Sequence, residues 1–148
     1  MTRRAELLEA LTAMPGDLGR WVRGRDAAAF SSRLTVEGWS GLDVLYHLLW
    51  VEERSLTRIQ MVVTQDKPVL FAIPPHETLP PVEPAALFDQ FCQQRQQTLS
   101  YLQSLTPGQW QRTGQHPTRG PLSVRYLADY LVVHDTEHLN QLLQLIGA

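Results

Sequence analysis

Eighteen residues, Asp66 to Glu83, separate two long amphipathic stripes, and this segment restricts the fold more than any other part of the chain. Six of the ten prolines fall between residues 68 and 84, so no helical pattern can continue through it. Neighbouring antiparallel helices in a bundle usually need only about two to eight linking residues. The helix before the segment should span roughly 37 Å, and eighteen residues reach up to about 60 Å, enough to return along the bundle. The second and third helices are therefore predicted to run parallel. With ordinary antiparallel connections elsewhere, the expected fold is an all-α four-helix bundle in up-down-down-up order, with a long crossover between helices 2 and 3.

The helices are read from spacing and end signals. Leu7, Leu11, Met14, Leu18 and Trp21 recur at intervals of three and four and place the first helix near residues 3 to 23. Pro15 lies inside it and is expected to kink or split it. The stretch "WSGLDVLYHLLW" opens the second helix, near 41 to 65, with Ser40 as N-cap, Asp43 completing a capping box and Trp39 stapled against Val44. Its buried face continues through Leu45, Leu49, Leu56, Ile59 and Val63. Pro84 suits the first turn of a third helix near 84 to 105, whose stripe runs Phe88, Cys92, Arg95, Leu99 and Leu102. "TPGQWQRTGQHPTRGP" reads as the loop before a fourth helix at 122 to 146.

At 148 residues the chain is expected to form one domain, 1–148, large enough to need no disulfide staples. Thirteen basic and fifteen acidic residues, with no dense basic run, give no electrostatic reason for nucleic-acid binding. The single cysteine cannot bridge internally, and no run approaches the ~18 apolar residues of a membrane span. A cytoplasmic protein without nucleic-acid or membrane partners is expected.

The fourth helix carries "VVHDTEHLNQLL", which puts His134 and His138 four residues apart on its apolar stripe. They lie about 40° apart around the axis and about 6 Å apart along it, so both can offer nitrogen to one cation. His47 lies about 10 Å from the start of the second helix, while His138 and His134 lie about 12 and 18 Å from the end of the fourth. If those helices are antiparallel with level ends, the three imidazoles fall within about one turn of each other. The competing reading is that each is a hydrogen-bonded core histidine. His116 reads as a surface residue at the opposite end, and the height of His76, in the crossover, is not fixed by the sequence.

At "GWSGLDVLYHL" and "GPLSVRYLADYLVVHDTEHLNQL", with the crossover between them, the chain resembles the DinB/YfiT-like family of metalloenzymes over nearly its whole length. The resemblance implies that His47, His134 and His138 are the metal ligands, that the bundle is up-down-down-up, and that zinc, nickel or a similar divalent ion is bound. It also implies a homodimer. Relatives include transferases and isomerases that use bacillithiol, mycothiol or glutathione, so a low-molecular-weight thiol is an expected co-substrate.

Three neutral imidazoles leave a divalent ion with an open position, where water is acidified or a thiolate is held. The expected function is therefore a metal-dependent enzyme, a thiol-dependent S-transferase or a small-molecule hydrolase. A metal-sensing module and a metal-free interaction bundle are the alternatives. Candidate pocket residues are Gln141, a polar residue on the stripe after His138, Asp43, one turn before His47, and Cys92, near the site's level. Asp43 also suits the capping box, Cys92 also suits a small core position, and Glu52 and Glu53 read as solvated helix charges. The pocket rim is expected from residues 24 to 39, the end of the crossover and the last turn of the fourth helix. Metal affinity is expected to weaken as pH falls through the range of free histidine, near 6.5.

Overall fold

The computed structural model of the chain describes residues 2–32, 35–76 and 78–146. Four long helices, α1 (Arg3–Val22), α2 (Gly41–Thr64), α3 (Pro84–Ser104) and α5 (Val124–Ile146), form the bundle, with a one-turn helix α4 (Pro107–Trp110) and a hairpin of β1 (Thr113–His116) and β2 (Gly120–Ser123) before α5. The helix starts follow the local chemistry. Thr2 Oγ1 accepts from the Ala5 amide, Ser40 and Asp43 form a reciprocal capping box, and Pro84 occupies the first turn of α3, where its missing N–H costs nothing.

Two core clusters fix the direction of every helix. One gathers Leu7 and Leu11 of α1, Ile59 and Val62 of α2, Leu99 and Leu102 of α3, and Leu127 and Leu131 of α5. The other gathers Leu18 and Val22, Val44 and Leu48, Leu87 and Phe91, and Leu142 and Leu145 from the same four helices. The first end therefore holds the start of α1 and α5 and the finish of α2 and α3. The order is up-down-down-up, with α2 and α3 parallel, as the crossover length requires.

The stretch after α3 is more ordered than a loop, which corrects the sequence reading. Thr106 and Gln109 make a second capping box around α4, and Trp110 is buried. The strands of the hairpin pair from Thr113 with Ser123 to His116 with Gly120, and the last helix begins at Val124 rather than Leu122. Gly120, at φ +77°, supplies the left-handed residue that closes this turn. The crossover is tied to the hairpin, because the Leu70 amide donates to Gln115 O at 2.8 Å and the Gln115 amide to Pro68 O at 2.7 Å. Gly114 makes that approach feasible, since a Cβ there would lie 2.9 Å from Leu70. Short range signals at 113–123 were too weak to announce strands of four residues.

α1 runs unbroken through Pro15. The proline leaves the Leu11 carbonyl without its intrahelical donor, and Arg95 Nη1 donates to it instead at 3.0 Å. Arg95 also donates from Nε and Nη2 to Glu52 at 2.9 Å, and from Nη1 and Nη2 to Asp135 at 2.9 and 2.8 Å. All five of its N–H groups are thus used, and one residue from each long helix meets at the bundle centre. Glu52, expected as a solvated charge, is 1% exposed because it is half of this node, whereas Glu53 is exposed. Among the described residues no helix is long and apolar enough to cross a membrane.

Candidate metal centre

His47 lies one and a half turns into α2, and His134 and His138 face it from the antiparallel α5. The level ends of the two helices bring the three rings together, with centroids 4.9 Å apart for His47 and His134, 4.6 Å for His47 and His138, and 4.3 Å for His134 and His138. One nitrogen from each ring lies within 4.8 Å of the others. The Nε2 atoms of His47 and His134 are 2.9 Å apart. Two nitrogens at about 2.1 Å from one ion are separated by roughly 3 Å, so this spacing suits a shared cation.

Tautomers also fit. The Oε1 of Gln141 can only accept, so His138 Nδ1, at 2.9 Å, carries the hydrogen and leaves Nε2 with its lone pair for a metal. Burial, followed by the charges of His138 and His76, pushes His47 down to about 4. Burial, followed by His138, His47 and Arg95, pushes His134 down to about 3. Both rings are therefore neutral, as ligation requires, well below the 6.5 of a free histidine.

The wall of the site is aromatic. The Trp39 ring lies 4.8 Å from His47 and stacks 6.2 Å from His138, and the Tyr130 ring stacks 5.7 Å from His134. His76 joins this wall, 5.7 Å from His47 and 4.9 Å from Tyr46, with its Nε2 buried and unpartnered. The sequence did not fix its height. What fixes it is the crossover's anchor, a bond from Trp50 Nε1 to Pro74 O at 2.7 Å. Trp39, read as a staple over Val44, turns its ring to the histidines as well.

The other candidates separate. Asp43 Oδ2 accepts from Ser40 N and Ser40 Oγ at 2.9 and 2.8 Å, which is the cap, and makes no bond to His47 among the described residues. Cys92 is half-buried, with its thiol pushed up by burial, and lies outside the three-histidine group. His116 is half-buried in β1 rather than in a surface loop, at the end where α5 begins. Beside Gln141, a cavity of about 360 Å³ is lined by Thr35, Glu37 and Gln144. This falls within the expected rim, of which residues 33, 34 and 77 lie outside the described residues.

Comparison with known proteins adds three findings. The chain is similar to YfiT from Bacillus subtilis, described as a probable metal-dependent hydrolase with an unusual four-helix bundle topology, at 18% identity and a TM-score of 0.82, covering 97% of this chain and 87% of that one. No curated protein matches the sequence. A family model described as the DinB superfamily matches residues 2–142, and the chain accordingly belongs to the DinB superfamily.

Proposed function

We propose that the chain is a divalent-metal-dependent enzyme acting on a small molecule, in which His47, His134 and His138 hold one ion. The observation that carries the reading is the convergence of three imidazoles, two of them kept neutral by burial and a third oriented by Gln141. A bound ion with an open position supplies either an acidified water or a stabilised thiolate. Hydrolysis is supported by the likeness to YfiT, described as a probable metal-dependent hydrolase; S-transfer from a low-molecular-weight thiol rests on the thiol-dependent relatives that the sequence resemblance implies. The same reading takes zinc or nickel as the ion, a homodimer as the assembly, the cytoplasm as the location and the whole chain as one domain.

The chain's own groups have separable tasks. Gln141 fixes the tautomer and rotation of His138. Trp39, Tyr46 and Tyr130 restrict water around the ligands. His76 Nε2 presents a buried polar atom that can exchange a proton with a bound molecule. The cavity by Thr35, Glu37 and Gln144 offers room for the rest of the substrate.

Elemental analysis of tag-free protein tests the site, with about one ion per chain expected and a large loss in both His47→Ala and His134→Ala. Wild-type metal content in both variants overturns the ligand assignment. A panel of esters, amides and thiol–electrophile pairs tests the reaction. Turnover abolished by chelation and restored by zinc or nickel is expected; metal binding without any such turnover favours a sensing role.

A further inference from the structure

Arg58, on the α2 face that also carries His47, is 7% exposed, and its Nε is buried with no hydrogen-bond partner. Among the described residues it forms no ion pair with a carboxylate; burial, chiefly, holds its guanidinium below the ordinary arginine range, and the ionisable groups around it are the phenols of Tyr130 and Tyr126 and the Arg119 guanidinium. The guanidinium stays protonated, and its Nε is shut off from water without an internal acceptor to replace the lost hydration. Such a group is retained where something else supplies the counter-charge.

The surroundings say what that is. Arg58 lines a cavity of about 230 Å³ together with His116, Arg119, Tyr126 and Tyr130. His116 Nδ1 accepts the Thr118 and Arg119 amides at 3.1 and 3.2 Å, so its Nε2 is the remaining donor. Arg58, Arg119, His116, Tyr126 and Tyr130 make a lining rich in side chains that can donate, and among the described residues no acid lines the cavity. Its other side is Ala72 and Ile73 of the crossover, four and three residues before His76.

The cavity is joined to the metal centre through Tyr130, which lines one and stacks on His134 of the other. Along α5, Tyr130 and Tyr126 precede His134 by about 6 and 12 Å, and along α2 Arg58 lies about 16 Å beyond His47. We propose that this cavity binds an oxyanion group, carboxylate or phosphate, of the small molecule whose reactive end meets the histidine site. The assignment of that molecule as substrate rests on the metalloenzyme reading; binding of the anion does not. The substrate class is then an elongated organic acid or phosphate ester, with its anionic group several bonds from the reacting atom.

The test is calorimetric titration of metal-free, tag-free protein with succinate and with inorganic phosphate at constant ionic strength, with the His116 ring signals followed by NMR. Saturable binding of at least one anion is expected, with His116 shifting in parallel, and the preferred anion identifies carboxylate or phosphate. Arg58→Gln should weaken binding at least about tenfold, as expected for losing charge-assisted hydrogen bonds, and the surface change Arg119→Gln should weaken it less. His47→Ala should bind the anion as the wild type does, so a failed metal site and a failed anion site give different patterns. Absence of saturable binding, or equal affinity in the wild type, Arg58→Gln and Arg119→Gln, overturns the proposal.

Discussion

Two arginines sit inside this bundle, and their surroundings are opposites. Arg95, 1% exposed, has every N–H directed at an acceptor, two carboxylates and a carbonyl that Pro15 left free. Arg58, 7% exposed, has a buried Nε without a partner and faces a cavity of donors. The first is a closed polar node whose neutralisation is internal. The second, like the three histidines farther along the same groove between α2 and α5, is open. A buried charge that the chain completes serves the fold, and one that it leaves incomplete marks where the molecule meets a ligand.

Arg95→Met should break the closed side of the comparison most severely, because it strands Glu52, Asp135 and the Leu11 carbonyl together. A loss of about 3–5 kcal/mol in urea unfolding is expected. Replacing all three charged residues with apolar ones should recover much of that loss, and a cost below ~1 kcal/mol for Arg95→Met alone would show that the node is not what holds these groups.

On the open side, Gln141→Ala should lower metal affinity about 10–100-fold while leaving the metal-free fold nearly unchanged, since it removes only the orienting acceptor of His138. Competition with a chromogenic chelator measures it. An unchanged affinity would mean that the ring is positioned by packing instead.

A third outcome concerns pH. His134 is pushed down to about 3, chiefly by burial, whereas its unfolded counterpart takes up a proton near 6.5. Between those values the unfolded chain binds more protons, so the ring's effect is to reduce the stability of metal-free protein as pH falls through that window. In His134→Gln this contribution is missing, and the stability difference between wild type and variant should shift toward the variant between pH 7 and pH 5. Parallel stability curves would show that His134 titrates alike in both states.

The smallest expected change sharpens the contrast. Arg58→Gln should alter stability in anion-free buffer by no more than about 0.5 kcal/mol, or raise it, because no partner among the described residues is lost. A loss comparable to that of Arg95→Met would place Arg58 on the closed side.

The topology was legible because chain length alone demands it: eighteen proline-broken residues after α2 cannot be a tight antiparallel turn. The convergence of His47, His134 and His138 was legible because helix rise converts residue number into height once α2 and α5 are known to be antiparallel. Arg95 was visible as a stripe position, but its partners were not. Pairing Glu52 with Asp135 through α3 requires the lateral arrangement of four helices, which a one-dimensional period does not contain. Arg58 was not singled out, and His116 was read as a surface residue, for a related reason. The crossover and the hairpin, which itself carries His116, enclose their shared cavity, and neither has a strong local pattern. His76 depended on where Trp50 pins Pro74, a tertiary contact between residues 24 apart.

The node at Arg95 has a mechanical consequence for the groove. Asp135 is the residue after His134, and Glu52 is five residues after His47, so the same guanidinium grips both histidine-bearing helices close to those histidines. A slip of α5 by a single residue is about 1.5 Å of translation and 100° of rotation, which no bidentate pair can follow. The spacing of 2.9 Å between the facing Nε2 atoms is therefore gauged from behind, by a fastener in the dry interior.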